Sequence, residues 1–275
     1  MQNGHKSSHP ARLALHAALA FWICVVFVAC NDASPTGPTV NFGSTGPIGP
    51  TAVNPGGVSN TNSVAAEPFA FEVGAQGRIR LRLEGVNGTI SVIGDSAARS
   101  VSIVGERRVG SESMEDAQSA LQLLEVKVSE LANEIFVETV QPQENQGRNY
   151  VVDYNVTLPR NFEVSIMNTN GNVAVREMVA STYVELINGQ IDGRVDLPQD
   201  GMIELSTVNG PIALDIPHNT SADFSANVSN GRIELSNLTL RNEERTTTSV
   251  QGRLGDGRGM ITLRTVNGDI KAEGY

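Results

Sequence analysis

The sequence feature that most constrains the fold is a short frame in which alternating apolar residues flank an Asn-Gly pair. In the stretch IELSTVNGPIAL (residues 203–214), apolar side chains lie six and four residues before Asn209 and three and five residues after it. Alternation with a period of two places such side chains on one face of a β-strand. Asparagine and glycine adopt positive φ more readily than other residues, so the pair predicts a corner between two short strands.

The same frame recurs along the chain and defines a set of repeats. In the second half of the sequence, successive asparagines of the frame are separated by 18, 21, 21 and 37 residues. A period of about 20 residues built from strands is typical of stacked repeats, in which each unit buries its apolar face against its neighbours. We therefore predict an all-β fold, a parallel β-helix-like β-solenoid. The predicted corner residues are Asn87, Gly88, Asn170, Gly171, Asn188, Gly189, Asn209, Gly210, Asn230, Gly231, Asn267 and Gly268.

Two packings of the repeats are compatible with this frame. Asn-Gly is also the strongest short hairpin signal, so each unit could be an antiparallel hairpin. The nearly constant spacing favours the solenoid, in which the asparagines stack at one corner. The long last interval contains residues 238–259, which we expect to form a protruding loop and a turn. The last repeat ends near the chain terminus, so the final repeat is expected to leave an exposed strand edge.

The charge of the chain argues against two classes of partner. The formal net charge is −10, and all 30 acidic residues follow residue 30. Nucleic-acid phosphates require basic patches, so we expect no nucleic acid as a partner. Electrostatic binding to anionic lipid headgroups is disfavoured for the same reason.

The first 29 residues have the pattern of an export signal. Residues 1–12 carry Lys6, Arg12 and no acid, and residues 13–29 form an apolar run interrupted by His16. A basic segment before a short apolar run is typical of a secretory signal peptide. The alternative is a transmembrane helix, although a run of about 17 residues is near the lower limit for crossing a bilayer.

The end of this run, FVAC (residues 27–30), resembles the lipobox of bacterial lipoproteins. Ala29 fits the small residue expected before the modified cysteine, whereas Phe27 stands where leucine is usual. The resemblance implies that residues 1–29 are removed and that Cys30 is lipidated, which would anchor the exported protein to a membrane of the cell envelope. The only other cysteine would be lost with the signal peptide, so we expect no disulfide in the mature protein.

The chain after Cys30 is predicted to be a tether followed by one domain. Residues 31–66 consist almost wholly of Pro, Gly, Ser, Thr, Asn and small apolar residues, with Asp32 as the only charged residue. Such a segment cannot bury enough apolar surface to fold, so we predict a disordered tether over residues 30–66. As a flexible coil it would span roughly 30–35 Å on average. The β-strand-repeat domain is then expected over residues 67–275.

One helix is expected inside this domain. Ser113 and Asp116 match a capping box, and apolar residues follow at helical spacing. This pattern predicts a short helix over residues 114–123 whose apolar side packs on the core. Residues 141–149 are polar and are expected to form an exposed loop.

The repeated motifs resemble one bacterial family. The resemblance is carried by the Val/Thr-Asn-Gly-x-Ile copies, by YNVTLPR (residues 154–160) and by TVNGDI (residues 265–270). The family comprises β-strand-repeat envelope proteins of unknown function that are labelled "putative adhesins". The resemblance covers residues 69–275 and implies a β-solenoid at the cell envelope, often with a signal peptide or lipid anchor. It fits residues 106–149 least and implies nothing about chemistry.

The sequence offers few residues for catalysis. After removal of the signal peptide, His218 is the only histidine. It could be combined with Ser221 and with Asp215 or Asp223 into a catalytic triad, but no Gly-x-Ser-x-Gly motif accompanies it. We therefore expect no catalytic residue.

Metal and cofactor sites are also not expected. Zinc needs three or four His, Cys or carboxylate ligands, and the chain is poor in them. A calcium site is easier to form than a zinc site, because Asp256 and Asp269 could offer oxygen ligands. However, the sequence contains no EF-hand loop and no Gly-Gly-x-Gly-x-Asp repeat. No phosphate-binding glycine motif opens a helix.

Three functions are compatible with these features. The first is a non-enzymatic envelope lipoprotein that displays the solenoid as an adhesin or structural module for glycans or surface proteins. The second is a carbohydrate-active enzyme, since sugar-cleaving enzymes use dispersed carboxylate pairs. Glu185, Glu204 and Glu234 do not occupy equivalent positions around their asparagines, which disfavours this hypothesis. The third is an envelope-stress or signalling component that binds a membrane partner. We favour the first.

Overall fold

The computed structural model describes residues 63–275, and the prediction of an all-β fold is confirmed there. The predicted signal peptide, Cys30 and the tether as far as residue 62 lie outside the described residues. The first strand begins at Ser63, so residues 63–66 of the predicted tether belong to the folded part. No helix of the described part is long and apolar enough to cross a membrane.

The described residues form nineteen strands and one helix. The elements before the tandem repeats are β1 (Ser63–Gly74), β2 (Arg80–Glu84), β3 (Ile90–Asp95), β4 (Ser100–Ser111), α1 (Met114–Leu121), β5 (Glu125–Glu130), β6 (Glu134–Val140) and β7 (Asn149–Pro159). The tandem repeats contain β8 (Glu163–Asn170), β9 (Val173–Met178), β10 (Thr182–Asn188), β11 (Ile191–Val195), β12 (Met202–Asn209), β13 (Ile212–Ile216), β14 (Ala222–Asn230) and β15 (Ile233–Ser236). The last elements are β16 (Arg241–Arg245), β17 (Ser249–Leu254), β18 (Gly259–Asn267) and β19 (Ile270–Gly274).

The strands form two mixed sheets. Sheet A has nine strands in the order β1-β4-β7-β3-β9-β11-β13-β19-β15. Sheet B has ten strands in the order β16-β17-β14-β18-β12-β10-β8-β2-β6-β5. Parallel pairs occupy the middle of both sheets. Antiparallel pairs lie at both ends of sheet B but only at the β1 end of sheet A, whose other end is the parallel pair β19–β15.

The two strands that flank an Asn-Gly pair lie in different sheets. For example, β12 ends at Asn209 in sheet B, and β13 begins after Gly210 in sheet A. We call such a pair of strands a rung and name it by its asparagine. Rungs pair in parallel with their neighbours, and their asparagines lie opposite one another in the register. The repeats are therefore not hairpins, which was the alternative left open by the sequence.

The inward side chains of the two sheets form one apolar core. Along β12, buried residues alternate with more exposed ones, as expected for a strand with one face on a core. A side-chain carbon added at Gly193 on sheet A would lie 3.3 Å from Leu205 on sheet B, so the two sheets pack closely. Tyr154 is buried between them, and this burial raises the pKa of its hydroxyl to about 12. The hydroxyl lies 2.6 Å from that of Thr139.

Additional strands close the Asn87 end of the stack. In sheet A, β7 pairs in parallel with β3, and β4 and β1 follow in antiparallel register. In sheet B, β6 and β5 follow β2. Helix α1 packs against β1 and β4, and its N-cap Ser113 accepts a hydrogen bond from the Asp116 backbone N–H at 3.2 Å. The helix ends at Leu121, because the next N–H groups bond three residues back in a tighter turn.

The last two rungs are transposed relative to their order in the chain. The Asn267 rung, formed by β18 and β19, lies between the Asn209 rung and the Asn230 rung and pairs in parallel with both. The prediction that the final repeat leaves an exposed strand edge is therefore wrong. The Asn230 rung lies one position further along the stack than its place in the sequence implies. The Asn267 rung, the last in the chain, occupies the position between the Asn209 and Asn230 rungs.

Residues 238–259, predicted as a protruding loop and a turn, contain a β-hairpin followed by a turn. Strands β16 and β17 pair in antiparallel register, and β17 pairs with the far edge of β14. The terminal strand β16 reads RNEER and is fully exposed, and charged edge strands resist pairing with other chains. In sheet A the last strand, β15, has four residues, and Arg245 donates to the Ile233 carbonyl oxygen at 3.4 Å. Both edges at this end are therefore protected.

Candidate binding surface

The outer face of sheet B carries a row of exposed aliphatic side chains. The residue two positions before each rung asparagine faces the core. Because side chains alternate along a strand, the residue directly before the asparagine faces outward. On the adjacent strands β10, β12 and β18 these residues are Ile187, Val208 and Val266, with exposed fractions of 46%, 40% and 41%. Their asparagines are paired in register, so the three side chains lie side by side at a strand spacing of about 4.8 Å. We call these three residues the aliphatic row.

Two grooves lie on the same face of sheet B. The first, of about 410 Å³, runs over β8, β10 and β12 and is lined by outward side chains that include Met167, Tyr183 and Glu204. The second, of about 420 Å³, lies over β14 and β18 beside the β16–β17 hairpin, and Met260 and Asp223 line it. Met167 and Met260 are 43% and 47% exposed. Sheet B therefore presents apolar side chains on four adjacent strands, β8 to β18.

Two of the three glutamates considered as catalytic candidates, Glu185 and Glu204, line the first groove from adjacent strands. In the register of sheet B, Glu204 lies opposite Tyr183, whereas Glu185 lies opposite Ser206 in a different row. Glu234 lies on β15 in sheet A. A glycosidase needs two carboxylates that flank one glycosidic bond, so of the three residues only Glu185 and Glu204 lie in a common groove.

The residues considered for a catalytic triad make other contacts. The ring Nδ1 of His218 lies 3.1 Å from the carbonyl oxygen of Asn237. The Ser221 hydroxyl oxygen accepts a hydrogen bond from the Asp256 backbone N–H at 3.0 Å, across the turn before β18. The carboxylate of Asp223 accepts a hydrogen bond from an arginine of β17 at 2.9 Å. These contacts hold the turn and the hairpin in place.

The acidic residues considered as calcium ligands are also separated. Asp269 accepts a hydrogen bond from the Arg232 backbone N–H at 2.8 Å and so connects two neighbouring rungs. Asp256 lies in the turn between β17 and β18. Across residues 63–275, no group of three or more His, Cys, Asp or Glu side chains is arranged to hold a metal ion.

The six rung asparagines form a continuous ladder of side-chain hydrogen bonds. At each step the Nδ2 of one asparagine donates to the Oδ1 of its neighbour, at distances of 2.6–2.9 Å. At one end, the Nδ2 of Asn87 donates to the Tyr150 carbonyl oxygen at 3.0 Å. The spatial order of the ladder is Asn87, Asn170, Asn188, Asn209, Asn267 and Asn230. The ladder therefore passes through the transposed rungs without interruption.

The sequence predictions do not include the residue before each asparagine, although the sequence contains a pattern that indicates its exposure. The alternation that buries Leu186, Thr207 and Thr265 turns the next residue outward. An aliphatic residue follows at all three positions, where a solvated strand would usually carry a polar one. The grooves have no comparable signal, because they depend on which strands become neighbours.

Solved structures of other proteins resemble this chain. A structure described as a "putative cell adhesion protein" from Clostridium sporogenes aligns with a TM-score of 0.53 and 11% identity, covering 77% of this chain and 100% of that one. A "putative adhesin" from Bacteroides fragilis aligns with a TM-score of 0.28 and 10% identity, covering 78% and 100%. No curated protein matches the chain. Residues 106–273 match the model of the Toastrack DUF4097 family, and the chain belongs to this family.

Proposed function

We propose that the protein is a cell-envelope lipoprotein that displays a non-enzymatic β-solenoid as an adhesion module. The parallel rungs in two sheets support the solenoid, with the Asn230 and Asn267 rungs transposed. The description of the Clostridium sporogenes structure supports the adhesion role by analogy. The observation that carries the proposal is the aliphatic row on the outer face of sheet B.

The aliphatic row favours a protein as the partner. Contiguous apolar side chains at a surface mark protein interaction sites, whereas single exposed ones are common and need no explanation. Met167 on the neighbouring strand β8 lies opposite Glu185, two positions from Ile187, and extends the apolar surface beyond the row. Methionine adapts its shape to different partners. We infer that the partner is a cell-surface or extracellular-matrix protein that lays an elongated apolar segment across β8 to β18.

The amino-terminal segments complete the proposal. Residues 1–29 direct export, Cys30 carries the lipid, and the tether holds the domain away from the membrane. Two or more acyl chains on one residue give stable anchoring, whereas a single chain is marginal. The near absence of charge in residues 31–62 supports a tether that does not itself bind the membrane surface.

Replacement of Cys30 by serine is expected to abolish membrane anchoring, because serine offers no thiol for the lipid. Bacteria that produce the full chain are labelled with radioactive palmitate and then separated into membrane and soluble fractions. We expect labelled protein in the membrane fraction for the parent chain and unlabelled, released protein for C30S. Cys24→Ser is the matched control and should remain labelled. Label on C30S would contradict the assignment of Cys30.

The triple variant I187S/V208S/V266S is expected to reduce adhesion at least about tenfold, since each half-exposed aliphatic side chain contributes apolar area to the contact. Bacteria that display the full chain are applied to surfaces coated with purified collagen, fibronectin or laminin. Retained cells are counted against a host that lacks the chain.

The matched control for this variant lies on the other sheet. Ile93 and Val104 face outward from sheet A and are 44% and 41% exposed, so I93S/V104S removes similar side chains from a different face. This control is expected to adhere like the parent chain. Equal losses in the two variants, or no adhesion by the parent chain on any protein surface, would contradict the proposed binding face.

A further inference from the structure

The outer face of sheet B carries opposite charges on the two sides of strand β12. In the row of side chains next to the aliphatic row, Glu185 on β10 and Arg264 on β18 both lie opposite Ser206 on β12. Both charged residues are exposed, and across residues 63–275 neither makes a hydrogen bond or an ion pair with another side chain. Two strand spacings separate them, which is about 10 Å at the backbone. Each charge is therefore available to a group outside the chain.

The pattern of this face matches itself when its left and right sides are exchanged about β12. In the aliphatic row, Ile187 and Val266 lie on either side of Val208. In the next row, the acidic and the basic residue lie on either side of a serine, so the exchange brings acid against base. A two-fold axis parallel to the strands makes this exchange between two molecules. A surface with this property is self-complementary, as a two-fold interface requires.

We propose that two copies of the chain pack sheet B against sheet B about a two-fold axis that runs along β12. This inference rests on the aliphatic row of the proposed function, and the second copy covers that row while no other partner is bound. Val208 then contacts Val208 of the second copy, and Ile187 contacts its Val266. Glu185 lies opposite Arg264 of the second copy, and the same ion pair forms again on the other side of the axis.

The size of the face suits a reversible dimer. It spans five adjacent strands of seven to nine residues, in the order β8, β10, β12, β18 and β14. These strands cover about 24 Å by about 27 Å, or roughly 650 Å² on each copy. The total of about 1,300 Å² lies near the lower limit of specific interfaces. We therefore expect a dissociation constant in the micromolar range, so that unfolding of dilute samples still measures the single chain.

One contact in this arrangement is unfavourable, because Glu204 on β12 faces its own copy. Face-to-face sheets pack with their strands about 30° apart, since each sheet is twisted. With the strands crossing at Val208, Glu204 lies about 13 Å along the strand, where the two backbones are about 12 Å apart. This distance exceeds the Debye length of about 8 Å at physiological ionic strength, so the repulsion is screened. Glu185 and Arg264 lie nearer the crossing, and their long side chains reach each other.

The test is cross-linking in membranes from bacteria that produce the full chain with Val208→Cys. The new thiols of two copies lie at the axis, so a short bismaleimide should join them into a covalent dimer. Ile93→Cys is the matched control, because Ile93 is exposed on sheet A, outside the proposed interface. The parent chain without an added cysteine gives the background. We expect at least about fivefold more dimer from V208C than from I93C.

Charge reversal tests the ion pair in the V208C chain. E185R opposes two basic residues across the interface, and R264E opposes two acidic ones, so each should lower the dimer yield at least about fivefold. The double variant E185R/R264E restores the pairing with its polarity reversed and should recover most of the yield. This recovery also shows that both substitutions leave the chain folded.

Three results would overturn the inference. They are a dimer yield from V208C no higher than from I93C, single reversals that cross-link as well as V208C alone, and a double variant that cross-links as poorly as the single ones. Cross-linking is measured without matrix protein, so its outcome is independent of adhesion. A chain that adheres without dimerising contradicts this inference alone. A chain that dimerises without adhering supports it and contradicts the proposed binding of a surface protein.

Discussion

Deletion of residues 259–275 is expected to abolish cooperative unfolding, although it removes only the last 17 residues of the chain. These residues form β18 and β19, which lie between two other rungs in both sheets. Their side chains Ile261, Leu263 and Ile270 are fully buried. Each such side chain contributes about 1.5–3 kcal/mol, so the loss is comparable with a typical total stability of about 5–15 kcal/mol. Thermal unfolding followed by circular dichroism measures the effect.

Two further samples distinguish a central rung from a dispensable end. Alanine at the outward positions Met260 and Arg264 keeps both pairings of β18 and should leave the unfolding midpoint near that of the parent chain. A synthetic peptide of residues 259–275, added to the truncated chain, should restore a cooperative transition because strands on both sides can pair with it. A truncated chain that unfolds cooperatively at the parent midpoint would contradict the central position of the Asn267 rung.

The existence of the Asn267 rung could be predicted from the sequence, but the spatial order of the last two rungs could not. Every rung carries the same Asn-Gly frame, so the Asn267 rung fits beside the Asn209 rung as well as the Asn230 rung would. The interval of 37 residues predicts an insertion and does not reveal where its strands pair. The order depends on the β16–β17 hairpin, which occupies the far edge of β14, and this pairing has no periodic signal.

The aliphatic row and the contacts at the Asn87 end of the stack differ in how far the sequence predicts them. The aliphatic row follows from alternation along single strands, and the asparagine register then places its members side by side. The contacts at the Asn87 end cannot be derived in this way. Asn87 and Tyr150 are 63 residues apart and meet because β7 pairs with β3. The loop between β6 and β7 has no repeat, so its polar composition predicts exposure and does not reveal which strand it packs beside.

The Asn-Gly pair connects neighbouring rungs twice. The asparagine side chains form hydrogen bonds with one another. The backbone N–H of each corner glycine except Gly231, which lies in the last rung of the stack, also donates to a carbonyl oxygen of the neighbouring rung. The N–H of Gly210, for example, donates to the Asn267 carbonyl oxygen at 2.8 Å. We propose that the corner residues are structural and bind no ligand. The backbone amides of the inner corner glycines are hydrogen-bonded to the next rung. We therefore expect substitution of a corner residue to affect the stability of the fold more than the binding of a ligand.

Replacement of Gly210 by alanine is expected to lower the free energy of unfolding by roughly 3–5 kcal/mol. The glycine has a φ of +151°, and positive φ alone costs another residue about 1–2 kcal/mol. The structure adds a collision, because a Cβ would lie 2.6 Å from the Gly189 carbonyl carbon and would overlap its oxygen. That oxygen also accepts a hydrogen bond from Thr207 at 3.4 Å, so relief requires the two rungs to move apart. The midpoint and slope of urea unfolding measure the loss.

The matched control separates the backbone conformation from the collision. Gly77 has a φ of +79°, and a Cβ there would meet no atom within 4 Å. Gly77→Ala should therefore lose only the conformational part, about 1–2 kcal/mol. If Gly210→Ala loses no more than this control, the rungs can adjust their spacing, and close approach does not explain glycine at the corner. A larger loss in Gly210→Ala means that the contact between backbones, in addition to the turn itself, requires glycine after each asparagine.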